Sequence, residues 1–393
     1  VPCFEGYRSR LVGIGVGPWR VRVMTSLHTL AVLLEKPGHL RLERVGLCAP
    51  GVSDVLVEVQ ASGISTGTEK LLWNGRMPHF PGMGYPLVPG YESVGEVMEA
   101  GAGAALRCGD RVFVPGARCY PEVRSLFGGT AQRLVVPATR AVRVDPSLGE
   151  RGVLLALAAT AHHALHLPHV DLPELIVGHG VLGRLIARLA VVLGGAAPTV
   201  WERDPQRRPG SRGLPDLGAL PESRGLPDPR SCQDSGRLPL LAASAASPTP
   251  PPAFSLPATL ATAAVDYPVL QPEDDRRRDY RVIFDASGDA SQLDQLIARM
   301  APGGQLVLAG FYADPLHFSF APAFMREASI RVAAEWKEHD LQAVRQLVES
   351  GSLSLDGLLT HRMAASAAQQ AYATAFGEPG CLKMILDWSA CSF

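Results

Sequence analysis

The segment that most narrows the fold runs from Leu175 to Glu202, LIVGHGVLGRLIARLAVVLGGAAPTVWE. A short apolar strand, Leu175 to Val177, meets Gly178-His179-Gly180-Val181-Leu182-Gly183. A helix follows through Leu193, and a second strand, Thr199 to Trp201, ends on an acid. Gly178 permits the tight turn, Gly180 lets backbone approach a pyrophosphate, Gly183 allows close helix and strand packing, and the helix N-terminus offers free N–H groups to phosphate oxygens. Glu202, roughly twenty residues on, is placed to accept hydrogen bonds from a ribose diol. The order predicts a dinucleotide-binding unit with Gly178, Gly180, Gly183 and Glu202 as cofactor contacts. A 2′-phosphate would meet the Glu202 carboxylate, which favours NAD, while Arg203 beside it argues the other way. His179 reads as a tolerated variable position in the turn.

With 393 residues, 47% of them hydrophobic, the chain can bury two substantial cores. Its net charge of -1 supplies no global basic field, which speaks against nucleic acid or anionic lipid as a partner. Seven dispersed cysteines, with no CxxC pair, fit neither a disulfide framework nor a cysteine zinc lobe, and a reducing cytoplasm is the simplest setting. No apolar run approaches the roughly twenty residues that a membrane-spanning helix needs. Residues 1–26 carry Arg8, Arg10, Arg20 and Arg22 around a short, glycine-interrupted apolar run. A disordered extension is the expectation there, with a targeting segment as the alternative.

From Leu30 the pattern is β-rich: AVLLEKPGHLRLERV and DVLVEVQASGIS alternate apolar and polar residues around Pro-Gly turns. Strand signals return at Glu92 to Met98, Arg111 to Val114 and Gln132 to Val136. Between them lies an apolar loop, KLLWNGRMPHFPGMGYPLVP from Lys70 to Pro89. Loops are usually polar, so this one is expected to close over something apolar.

The β-rich domain, the glycine-motif domain and a returning C-terminal segment together resemble the medium-chain dehydrogenase/reductase superfamily over most of Leu30 to Trp388. More narrowly, GISTGTEKLLWNGRMPHFPGMGYPLVPGYESVGEV, LFGGTAQRLV, LLALAATAHHAL and CLKMILDW are similar to its branch that oxidises the 1-hydroxyethyl side chain of bacteriochlorophyllides to acetyl with NAD. The resemblance implies an α/β fold: a GroES-like β-rich catalytic domain over residues 27–150 and a Rossmann doubly wound parallel sheet over 151–325. Residues 326–393 would return to the catalytic domain. It also implies a tetrapyrrole substrate of the bacteriochlorophyllide type.

Zinc members of the superfamily hold metal through a cysteine in C-G-[ST]-D, a histidine in G-H-E and a third cysteine or glutamate before the cofactor domain. Here Gly67-Thr68-Glu69 places Thr66 at the cysteine position, whereas Gly63-Ile64 places Ser65 there; Tyr91 replaces the histidine and Ala156 the third ligand. Hydroxyls, a phenol and a methyl do not assemble the tetrahedral N/S/O site zinc prefers, so the expectation is a metal-free enzyme. Oxidising a secondary alcohol still requires loss of its proton. Tyr91 is the first candidate acceptor if neighbouring positive charge brings its phenol toward working pH. Ser65, Thr66 and Thr68 could relay a proton to water, and Glu92 could orient Tyr91 or act as base. The alternative is that Tyr91 fills the vacated metal space and water takes the proton.

Gly152 to Leu167 reads as an apolar helix, and the resemblance puts Thr160 near the nicotinamide. His162 and His163 invite a metal or acid/base reading, but neighbours on a helix point about 100° apart and do not easily share one ligand, so packing or support of the site from behind is the expectation. Asp204 to about Ala261 is rich in Pro, Ser, Ala and Gly and repeats SRGLPD, which predicts a disordered insertion over 204–262. Ser287, Gly310 and Phe311 follow strands whose carboxyl ends would face the cofactor, although structural turns also explain the glycine. Phe318 to Trp336 is expected near the cleft. In the resemblance, Arg362 reaches cofactor phosphates. Trp73, Phe80 and Tyr85 could stack on a flat macrocycle while Arg76 or Lys70 pairs with its propionate, or the aromatics could serve packing or a homodimer interface. A zinc-free reductase of another carbonyl or a quinone, and a nucleotide-binding scaffold without turnover, are the competing functions.

Overall fold

In a computed structural model, which describes residues 27–79, 82–208, 266–389 and 391, the second half of the chain builds one six-stranded parallel sheet. Its order is Val269–Leu270, Thr199–Trp201, Leu175–Val177, Tyr280–Asp285, Met300–Leu308 and Ser329–Val332. Leu175, Ile176 and Ile283 are wholly buried, as central parallel strands covered on both faces require. Successive connections run outward in one direction from Leu175–Val177 and in the other from Tyr280–Asp285. A crevice therefore opens at the carboxyl ends of these two neighbours, where doubly wound sheets bind ligands.

The glycine turn sits at that point. Gly178 adopts a φ of 95°, which a β-carbon disfavours. The helix Val181–Val192 starts at Gly180 and buries Val181, Leu185, Ile186 and Leu189, residues spaced to share one face. A β-carbon at Gly183 would run into the Gly178 carbonyl oxygen, so only glycine brings this helix onto its strand. The helix ends at Leu193, where Gly194 turns left-handed at a φ of 88°.

The other half contains a four-stranded sheet, ordered His39–Gly46, His28–Lys36, Leu87–Pro89 and Arg124–Leu126, and a seven-stranded one. In the latter the central strand Asp54–Ile64 pairs with Ser93–Ala100 and Arg133–Pro137, and also takes Met384–Asp387 antiparallel, Met384 opposite Ile64 and Asp387 opposite Ala61. His361–Ala364 lies outside Met384–Asp387, and the helix Ala368–Gly377 connects the two. The Trp388 indole donates to the Ser62 hydroxyl at 2.9 Å, buried beneath this pairing. The C-terminal segment thus completes the catalytic half, giving the expected two-part α/β fold.

Three expectations shift. The parallel sheet continues to Val332 and the helix Glu338–Glu349 packs on the helix Leu155–Leu165, so the return starts near His361 rather than at 326. Ser329–Val332 lies at the sheet's edge, and Phe320, Phe324 and Met325 are exposed on the short helix before it, beside Pro302 rather than in the cleft. Trp336 packs on the cofactor half's core, while Glu335 is exposed. The apolar segment from Lys70 begins inside a helix, Thr68–Trp73, and ends in the strand Leu87–Pro89. The readings for residues 1–26, for Phe80 and for nearly all of 204–262 fall outside the described residues.

Gly183→Ala should lower the denaturant midpoint by an amount worth about 1–3 kcal/mol, because both colliding groups are backbone-fixed. Nicotinamide dinucleotide affinity should fall with it. Wild-type unfolding and binding would contradict this reading of the turn.

Candidate active site

Gly90, at a φ of 91°, turns the chain out of Leu87–Pro89, and a β-carbon there would collide with Thr130. This turn aims Tyr91 at the end of the strand Asp54–Ile64. The Tyr91 hydroxyl donates to Ser65 Oγ at 2.6 Å and also interacts with Thr68. Its ring stands edge-on to Phe127 at 5.5 Å and packs against the apolar cluster of the cofactor half. Ser65 is buried and Thr66 only half-buried, so Ser65, the residue placed by the Gly63-Ile64 match, is the one that meets Tyr91. Ala156, on the adjoining helix, is buried. A hydroxyl, a phenol and a methyl do not fit a zinc centre, and among the described residues no group of three or more His, Cys, Asp or Glu is placed to hold a metal.

The electrostatics overturn one expectation. Burial pushes the Tyr91 phenol well above its ordinary range, and the nearby Glu92 and Glu69 carboxyls push it the same way. The Ser65 and Thr68 hydroxyls oppose the shift, while the Lys383 ammonium is engaged with Glu92: Lys383 Nζ donates to Glu92 Oε2 at 2.6 Å with both side chains buried. Tyr91 is therefore a neutral hydrogen-bond donor. Burial also raises the Glu92 carboxyl, and Lys383 opposes that shift. Gly63 makes room for Glu92, since a β-carbon there would strike Glu92 Oε2; Oε1 is buried without a hydrogen-bond partner.

A third carboxyl lies beneath the pair. Glu69 accepts from the Ser65 backbone N–H at 3.0 Å and from the Tyr372 hydroxyl at 2.6 Å, and burial raises it from 4.5 to about 7. In the sequence Glu69 serves only to align a motif, and Lys383 carries no role of its own. A lysine inside the apolar run CLKMILDW was the available signal, because a cation there needs a buried partner.

On the cofactor side, a β-carbon at Gly180 would meet nothing within 4 Å, and the helix Val181–Val192 has no side-chain cap, so its first N–H groups face open space. Such a cradle fits a pyrophosphate. Glu202 is buried at the strand end, accepting from the backbone N–H of His179 at 3.1 Å and of Asp204 at 2.9 Å. His179 is not the open position expected of it. Its ring lies between the Arg207 carbonyl at 2.7 Å and the Tyr267 hydroxyl at 3.1 Å, and burial and Arg184 depress it to about 3.

The other candidates divide. Ser287 donates through both N and Oγ to the buried Asp285, which also accepts from Tyr312; a β-carbon at Gly310 would meet the backbone of Gly288, and Phe311 is 44% exposed. These three sit in the turns that follow the strands Tyr280–Asp285 and Met300–Leu308. Thr160 donates to the Ala156 carbonyl within its helix. Arg362 is engaged by Glu150 at 3.2 Å and Asp387 at 2.9 Å. Trp73 packs against Tyr372 and Phe376, and the Tyr85 hydroxyl donates to the Leu72 carbonyl, so both are anchored in the catalytic core. Lys70 is exposed, and Arg76 reaches across to Asp314 of the cofactor half at 2.7 Å. His162 and His163 do share a partner, because the two oxygens of Asp340 accept one ring nitrogen each, at 2.7 and 2.9 Å.

Comparisons with known proteins place the chain in a family. Residues 51–146 match the alcohol dehydrogenase GroES-like domain. The 2-desacetyl-2-hydroxyethyl bacteriochlorophyllide A dehydrogenase of Cereibacter sphaeroides is 49% identical over 370 residues, covering 93% of this chain and 99% of that protein. Among solved structures, a protein of Sinorhizobium meliloti 1021 bound to NADP superposes with a TM-score of 0.66 at 20% identity, covering 92% of this chain and 100% of that one. The alcohol dehydrogenase rspB of Escherichia coli CFT073 complexed with NADH gives 0.66 at 19%, covering 92% and 99%.

Lys383→Met should leave the Glu92 charge buried and unpaired, at a cost of about 3–5 kcal/mol in chemical unfolding. Adding Glu92→Gln should recover most of that loss. A double variant no more stable than the single one would show that the two side chains are not coupled.

Proposed function

Because the chain belongs to the medium-chain dehydrogenase/reductase superfamily and, within it, to the bacteriochlorophyllide dehydrogenases, we propose that it oxidises a bacteriochlorophyllide 1-hydroxyethyl group to acetyl in bacteriochlorophyll biosynthesis. The acceptor we assign is NAD. The 49% identity across nearly the whole chain supports the substrate, and the Tyr91–Ser65 hydroxyl pair between the two halves supports the chemistry. Glu202 supports NAD over NADP, since a 2′-phosphate would approach a buried carboxylate already fixed by two backbone N–H groups.

The bound nicotinamide supplies the hydride acceptor. The protein's task is the proton. A phenol held neutral does not act as a free base, but it can pass a proton on. As the carbinol C–H bond breaks and the carbonyl forms, Tyr91 oxygen takes the alcohol proton while its own proton moves to Ser65 Oγ. Ser65 in turn releases its hydroxyl proton through Thr68 or Thr66 to water. Each hydroxyl loses one proton as it gains another, so no phenolate is required. Glu92, turned toward Lys383, holds the wall of the site. Trp73 and Tyr85 shape the apolar side, and Arg76 with Lys70 receives the propionate, Arg76 leaving an exposed ion pair with Asp314 that costs little to exchange.

The partner we assign at the sheet edge is a second copy of this chain. Among the described residues the outer strand Ser329–Val332 pairs on one side only, and Phe320, Phe324, Met325 and Val332 beside it are 65–74% exposed. Two-fold pairing of one strand with itself covers edge and patch together. Sedimentation should give a dimer that Phe324→Glu dissociates; a wild-type monomer would exclude this assembly.

Purified protein mixed with NAD or NADP and 3-(1-hydroxyethyl) or 3-vinyl pigments should shift the absorbance of the hydroxyethyl pigment only, and faster with NAD. Tyr91→Phe should lower turnover about 100-fold or more while leaving cofactor affinity nearly unchanged. Undiminished turnover would remove Tyr91 from the proton path.

A further inference from the structure

The catalytic hydroxyl pair rests on a carboxyl that the proton path does not touch. Glu69 lies on the helix Thr68–Trp73, 1% exposed, with its two oxygens divided between different parts of the fold: Oε1 takes the Ser65 backbone N–H, and Oε2 takes the Tyr372 hydroxyl from the helix Ala368–Gly377. From the turn after Leu87–Pro89 it faces Tyr91 and Glu92, and from the segment entering Met384–Asp387 it faces Lys383. Arrangements of this kind are costly, because an ionised carboxylate is being kept out of water with only two neutral donors of its own and a lysine committed to its neighbour.

We propose that Glu69, in its ionised form, is a positioning residue that fixes Ser65 beneath Tyr91 and so makes the dehydrogenase reaction depend on its own deprotonation. This rests on the function proposed above. An ionised acceptor binds the Ser65 N–H more strongly than a neutral one. Protonation weakens that bond and leaves a hydroxyl to be accommodated against Tyr372 or Ser65, loosening the loop that carries Ser65 Oγ. Hydroxyl relays need each oxygen within hydrogen-bond reach of the next, so a small displacement at Ser65 interrupts the path.

The sign follows from the environment. Burial raises the carboxyl from 4.5 to about 7, Glu92 adds to this, and the Tyr372 and Ser65 bonds and the Lys383 charge oppose it. The folded protein therefore retains a proton that the unfolded chain has already lost. Stability falls as pH rises between these values and is level above them, whereas turnover rises over the approach to neutrality. Catalysis uses the form that the fold disfavours.

The test measures kcat and KM for the pigment alcohol, together with NAD affinity, from about pH 5.5 to about pH 9. Wild type should show kcat rising to a plateau. Glu69→Gln, nearly isosteric, should lower the plateau about 10- to 100-fold and flatten the rise, with NAD affinity unchanged. Glu69→Asp should restore a rise. Tyr372→Phe removes a bond that favours the carboxylate, so its rise should move to higher pH; because Tyr372 donates to Glu69, this shift separates Glu69 from Glu92. A Glu69→Gln enzyme with the wild-type plateau and rise would overturn the proposal. So would an unmoved rise in Tyr372→Phe, which decides the matter if Glu69→Gln does not fold. A wild-type protein inactive on every pigment would instead overturn the function on which the proposal rests.

Discussion

The contact between Lys383 and Glu92 holds the catalytic half together. It joins residues 291 positions apart, in a place sealed from water, and neither charge would be tolerated there without the other. The pairing of Met384–Asp387 with Asp54–Ile64 brings Lys383 to this place, and Gly63 on the latter strand leaves the space that Glu92 fills. The residue before Glu92 is the phenol of the site. Fixing Glu92 against a cation consequently fixes the direction in which Tyr91 points, and the ammonium is spent on that task instead of acidifying the phenol.

This arrangement bears on the hydroxyl relay proposed for the proton. Zinc acidifies the alcohol directly; a buried, neutral phenol does not. In the proposed relay, by contrast, no member carries a full charge in the low-dielectric space between the two halves. The surrounding carboxyls, which would be counterproductive near a phenolate, become compatible with such a relay. Phe127, edge-on to Tyr91, keeps one side of the phenol apolar.

Much of the architecture was legible because it obeys local rules. The glycine turn, the strands around it and the acid at Glu202 follow from spacing alone, and the parallel sheet places them at its reversal point. Ser65, Tyr91 and Ala156 were legible as substitutions at known ligand positions. The network under them was not, because Glu69, Lys383 and Tyr372 are brought together from three distant elements and only burial gives them their properties. Likewise His179 looks optional in a turn pattern until Arg207 and Tyr267 enclose its ring, and one carboxylate with two oxygens serves neighbouring histidines whose directions diverge. The apolar loop illustrates the reverse case: Trp73 and Tyr85, read from the sequence as facing a substrate, make contacts within the core.

The pairing of Thr199–Trp201 with Val269–Leu270 has a bearing on how such a chain can change over generations. These strands lie side by side in the sheet, with Val200 opposite Val269, and the Glu202 N–H donates to the Leu270 carbonyl at 2.9 Å. A connection between parallel neighbours leaves at the carboxyl end of one strand and must cross to the amino end of the next. Both ends of that crossover are set by the register of the pair. A change of chain length between the two strands thus leaves Glu202, tied by its own N–H to the second strand, where the sheet puts it.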